Sequence, residues 1–105
     1  MVVLDTNIII DHLRSKGSSE TVLMKIARQI AKENLALSVI SLQELYEGQS
    51  TKDEAKEGYL LATLAPLIVL SYTYEIAKIA GEIARDRKRP IEFADAAIAA
   101  TAIAQ

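Results

Sequence analysis

Short β-branched apolar runs alternate with stretches of helical period along this chain. Val2-Val3-Leu4 is an apolar run that ends at Asp5 and reads as a buried strand. Ile8-Ile9-Ile10 through Leu13 reads as a short helix that stops near Lys16-Gly17. Ser18-Ser19 offers an N-cap for a second helix. In that helix Val22, Leu23, Ile26, Ala27, Ile30 and Ala31 recur on one face, with Lys25, Arg28 and Lys32 on the other. Leu35 to Ile40 is a second strand, and Ser41 opens a third helix that ends near Gly48. Thr51 to Ala65 is a fourth helix, closed by Pro66. Leu67 to Leu70 is a third strand. Ile76, Ile79, Ala80, Ile83 and Ala84 mark a fifth helix, closed by a basic run before Pro90. A sixth helix begins near Glu92, and its apolar residues go all the way round, which predicts burial.

The predicted order is β-α-α-β-α-α-β-α-α. Apolar strands alternating with helices argue for an α/β fold with a central parallel sheet covered on both faces. The length of 105 residues fits one domain, residues 1–105, with no linker, repeat or low-complexity stretch. Hydrophobic residues make up 50% of the chain and charged residues 25%, enough apolar surface for a core without disulfides.

Composition removes several chemistries. There is no cysteine, so thiolate metal sites and disulfides are excluded, and a reducing cytoplasm fits. The only histidine is His12, which excludes a histidine-rich zinc site and argues against a Ser-His-Asp triad. The N-terminus lacks the pattern of a signal peptide. No uncharged apolar run approaches the ~20 residues of a membrane span. Net charge is −2 and the sequence pI about 5.4, so nucleic-acid binding would need a local basic patch.

Asp5, Glu44 and Asp95 stand out against this background. Each is the only charge in its own apolar stretch: Met1 to Ile10, Asn34 to Tyr46, and Phe93 to Ala104. A carboxylate in a core-like segment is costly to bury unless it is paired or binds a metal. In open α/β sheets, ligands bind beyond the carboxyl ends of the strands. Asp5 ends the first predicted strand, Glu44 follows the second, and Asp95 lies in the first turn of the last helix. The three are therefore expected to form one acidic site for a hard divalent cation.

Each residue also has a plainer role open to it. Asp5, Thr6 and Asn7 all favour helix N-caps. Ser41-Leu42-Gln43-Glu44 has the form of a capping box, and so does Thr51-Lys52-Asp53-Glu54, which carries no functional hint. Asp95 suits the positive end of a helix dipole. Asp11 and Glu92 are lesser candidates: Asp11 reads as a solvated helix residue, and Glu92 as a first-turn charge three residues before Asp95 that could share its helix face. Arg85, Arg87, Lys88 and Arg89 either complement the end of the fifth helix or form a rim for phosphate.

Taken together, three segments resemble the PIN domain, and within it the VapC-like toxins of toxin–antitoxin pairs. They are Leu4-Asp5-Thr6-Asn7, Ser41-Leu42-Gln43-Glu44-Leu45 and Asp95-Ala96-Ala97-Ile98-Ala99-Ala100-Thr101-Ala102, in order along the whole chain. The resemblance implies a three-layer α/β/α sandwich and Mg²⁺- or Mn²⁺-dependent cleavage of RNA. It assigns Asp5, Glu44 and Asp95 to the acidic positions and Thr6 and Asn7 to the polar positions beside the first. It further implies an antitoxin partner, a second copy of the chain as another, and a cytoplasmic location. Family members usually add a strand and a fourth Asp or Asn after this helix. No counterpart precedes the last residue, Gln105, so a C-terminally truncated domain with a shortened sheet is expected.

Two other classes compete with a nuclease. One is a non-catalytic PIN-like module that only binds a protein partner. The other is a phosphotransferase-like α/β domain. It fits less well, because Asn7 stands where a second acid would be needed and no Gly-rich phosphate loop occurs.

Overall fold

A computed structural model describes residues 1–15 and 19–105. Its strands are β1 (Val2–Val3), β2 (Leu35–Ser38) and β3 (Ile68–Leu70). Its α-helices are α1 (Thr6–Ser15), α2 (Val22–Gln29), α3 (Val39–Glu47), α4 (Glu54–Leu64), α5 (Tyr74–Asp86) and α6 (Phe93–Ala104). This is the predicted order. The strands form one parallel sheet in the order β1-β2-β3. Val2 pairs with Leu35 and Val3 with Ala36, while Ala36, Leu37 and Ser38 pair with Ile68, Val69 and Leu70. Parallel neighbours need long crossovers, which the helix pairs α1–α2 and α3–α4 supply.

Of the three strands, β2 alone is buried at every position; Val2, Ile68 and Val69 are exposed. The outer strands have one neighbour each, so the expectation of strands buried throughout holds only at the centre. Leu35 and Leu37 join Leu4, Ile9, Leu23, Leu45, Leu60 and Leu64 in the main core. The period of two turns Ala36 and Ser38 to the other face. There α6 packs against β1 and β2, and a smaller cluster of Ile76, Ala80, Ala96 and Ala100 joins it to α5. Alanine at these positions permits the close approach. α6 is not buried all round: Ala96, Ala97, Ile98, Ala100 and Thr101 face inward, but Phe93 and Ile103 are 68% and 65% exposed.

Several boundaries differ from the predicted ones, and capping explains most of them. Val39 and Ile40 begin α3 rather than ending β2. Ser38 caps this helix, its Oγ accepting the Ile40 amide at 3.1 Å. A serine at the right place thus overrides the strand preference of two β-branched residues. Thr21 caps α2 by accepting the Met24 amide at 3.2 Å, so Ser19 is not the cap, and Ser18 lies outside the described residues with Lys16 and Gly17. α2 ends at Gln29, so the apolar face continues through Ile30 and Ala31 without helix. Residues Gln49–Lys52 form a 3₁₀ turn, and Asp53 caps α4 by accepting the amides of Ala55 at 2.9 Å and Lys56 at 3.3 Å. Neither Ser41 nor Thr51 is a cap, which removes both predicted capping boxes.

Candidate functional site

The site is built where β1 and β2 give way to helices. Asp5 follows the end of β1 at the N-cap position of α1. Its carbonyl accepts the Ile8 amide at 3.0 Å, and its Oδ1 accepts the Asn7 amide at 3.1 Å. The plain reading of Asp5 as a cap is therefore correct, but it engages only one carboxylate oxygen. The residue is exposed, and no hydrogen bond to Oδ2 occurs among the described residues.

Thr6 links the two strand ends. Its side chain is buried, with Oγ1 lying 2.7 Å from Glu44 Oε1 and 2.8 Å from Ser41 Oγ. One hydroxyl carries one proton, and a carboxylate only accepts, so Thr6 donates to Glu44 and Ser41 donates to Thr6. Ser41 is fully buried on α3, and Glu44 lies one turn later on the same helix face. The spacing that suggested a capping box is thus a shared face turned toward α1. No buried side-chain nitrogen or oxygen lacks a partner among the described residues.

Asp95 stands apart. It lies in the first turn of α6, exposed, and no hydrogen bond ties it to Asp5 or Glu44 among the described residues. α6 itself packs against β2, against β1, which Asp5 follows in the chain, and against α3, which carries Glu44. Among the described residues no group of three or more His, Asp or Glu side chains is gathered as a metal site. The donor chemistry nonetheless fits a hard cation. Mg²⁺ keeps several waters and uses only one or two carboxylates, so three touching side chains are not required.

The basic residues are split. Arg85, in the last turn of α5, is held by Asp86 through two bonds, Nε to Oδ1 at 2.8 Å and NH2 to Oδ2 at 3.0 Å. That bond, with the charge of Arg85, holds the Asp86 carboxyl below its usual range. α5 ends at Asp86, so Arg87, Lys88 and Arg89 are exposed in the connection leading into α6. Asp11 and Glu92 are exposed, and Glu92 precedes α6 without a side-chain cap bond. His12 joins three helices. Its Nδ1 lies 2.8 Å from Thr21 Oγ1 and its Nε2 3.4 Å from the Tyr59 hydroxyl, linking α1 to α2 and α4.

Two comparisons with known proteins match. A family model described as the PIN domain matches residues 2–105. A solved structure described as a toxin-antitoxin complex from Klebsiella pneumoniae contains a chain 25% identical to this one, superposing with a TM-score of 0.74. The match covers 99% of this chain and 79% of that chain. A search of curated proteins returned no match. No helix among the described residues is long and apolar enough to cross a membrane. The family match runs through every strand and helix described above, and on that ground the chain belongs to the PIN domain family.

Proposed function

We propose that this protein is a metal-dependent endoribonuclease, the toxin of a toxin–antitoxin pair. The observation that carries the reading is the Thr6–Glu44 bond of 2.7 Å, which ties a carboxylate that follows the second strand to the residue next in sequence after Asp5. A linkage between helices at neighbouring strand ends is more than a cap needs. Family membership and the likeness to a chain of a toxin–antitoxin complex support the nuclease and partner readings.

Asp5 and Glu44 each have one oxygen engaged by the protein and are proposed to offer the other to Mg²⁺ or Mn²⁺. One-oxygen ligands suit a small octahedral cation that retains waters better than Ca²⁺, which takes more oxygens. Asp95 is the third ligand, directly or through water. When bound, the cation supplies a nucleophilic water near neutral pH and offsets charge on the phosphate. Thr6 orients Glu44, and the Asn7 amide orients Asp5. Arg87, Lys88 and Arg89, only a few residues before Asp95, steady the RNA backbone; Arg85, engaged by Asp86, contributes less. The partners are RNA, an antitoxin and a second copy of the chain, in the cytoplasm.

A non-catalytic binding module is the second reading, favoured by the absence of a gathered three-carboxylate cluster among the described residues. RNA cleavage with and without Mg²⁺, beside Asp95→Asn, separates the two. Mg²⁺-dependent cleavage that the variant loses supports the nuclease. Intact cation binding with no cleavage of any RNA supports the module. Equal cleavage by the variant removes Asp95 from the mechanism.

A further inference from the structure

Ser41 is not needed at a helix end, because Ser38 caps α3. A serine inside a helix commonly returns its hydroxyl to a carbonyl one turn back. Ser41 instead turns to a different helix, reaching Thr6 Oγ1 at 2.8 Å, and its side chain is fully buried. Thr6 must give its single proton to the Glu44 carboxylate 2.7 Å away. The proton of Ser41 therefore points to Thr6, and the chain runs in one direction, Ser41 to Thr6 to Glu44. Aligned hydrogen bonds in a low-dielectric interior strengthen one another.

We infer that Ser41 is a positioning residue: through Thr6 it locks Glu44 with Oε1 held inside the protein and Oε2 left for a divalent cation. The inference rests on the reading of Glu44 as a cation ligand. No hydrogen bond to Oε2 occurs among the described residues. Burial keeps Ser41 from touching RNA or the cation, and its side-chain hydrogen bond is to Thr6. Without the bond from Ser41, the Thr6 hydroxyl loses the contact that fixes its rotamer, and Glu44 loses its anchor.

The test is a double-mutant cycle read by Mn²⁺ calorimetry on the full chain, Ser41→Ala, Glu44→Gln and the double variant. Beside it, three-bond NMR couplings report the Glu44 side-chain rotamer in the metal-free parent and Ser41→Ala. Ser41→Ala is expected to weaken Mn²⁺ binding about three- to tenfold. That loss should vanish in the Glu44→Gln background, and Glu44 should change from one rotamer to several. Ser41→Cys keeps a weak donor and should lose less; it carries the same comparison if Ser41→Ala does not fold. Equal loss in both backgrounds would make Ser41 a fold support only and overturn the inference. Unchanged Mn²⁺ affinity would overturn it as well. If the parent binds no Mn²⁺, the cation reading fails and the rotamer decides: averaging in Ser41→Ala keeps the positioning role, and an unchanged rotamer ends it.

Discussion

Ser41-Leu42-Gln43-Glu44 and Thr51-Lys52-Asp53-Glu54 have the same form in sequence and opposite fates in the fold. In both, the first residue looks like a helix cap and the last like its capping-box partner. In both, a different residue caps the helix: Ser38 for α3 and Asp53 for α4. The stretches then diverge. Ser41 is buried and turned toward Thr6, with Glu44 beside it. Thr51 donates to the Gly48 carbonyl at 3.0 Å on the surface, and Glu54 is exposed. What separates them is the element before each. β2 leads directly into α3 and sets Ser41 and Glu44 against Thr6 at the start of α1, whereas a 3₁₀ turn leads into α4, whose residues 54–56 are exposed. A short polar pattern acquires a role from the element that places it.

The largest contrast should appear in catalysis. Glu44→Gln is expected to lower Mg²⁺-dependent RNA cleavage by at least about 100-fold, and Glu54→Gln by less than about twofold, in a single-turnover assay. Comparable losses at both positions would erase the distinction between the two stretches.

Stability should divide differently. Thr6→Val leaves Ser41 and Glu44 without their shared partner and should cost about 1–3 kcal/mol in urea unfolding. Ser38→Ala and Asp53→Ala each remove a cap and should cost about 1 kcal/mol. Thr51→Ala should stay within about 0.5 kcal/mol, as expected of a surface change. A Thr51 loss as large as that of Thr6 would mean the second stretch supports the fold more than its geometry suggests.

The smallest effect lies outside both stretches and serves as a control. The bond from Arg85 and its charge lower the Asp86 pKa. A carboxyl depressed in the folded state contributes stability above its unfolded pKa and loses it as pH falls through the folded value. The pair is exposed and salt-screened, so acid unfolding should barely change in Arg85→Ala. The Asp86 midpoint, followed by NMR, should nonetheless rise to the ordinary carboxylate range.

The order of strands and helices was legible because apolar period and turn residues agree along the chain. Boundaries were less so where two signals compete. Val39 and Ile40 favour strands by side-chain type, and only the Ser38 cap, formed by the folded backbone, settles them as helix. The candidate carboxylates were visible as lone charges in apolar stretches. The role of Ser41 was not, because its partner Thr6 is 35 residues away and the spacing to Glu44 suits a cap equally well. His12 likewise gave no sign of its contacts with Thr21 and Tyr59, which depend on how three helices pack. The exposure of Phe93 and Ile103 was hidden by an apolar helix pattern that shows no preferred face.

The most direct test of the acidic site is a Mn²⁺ titration of the purified chain by calorimetry, beside Asp5→Asn at the same pH. It needs no knowledge of the RNA. Saturable binding that weakens at least about tenfold in the variant is expected of a cation site that includes Asp5. No binding by the parent chain, or equal binding by both proteins, would contradict that site and leave Asp5 as the cap of α1.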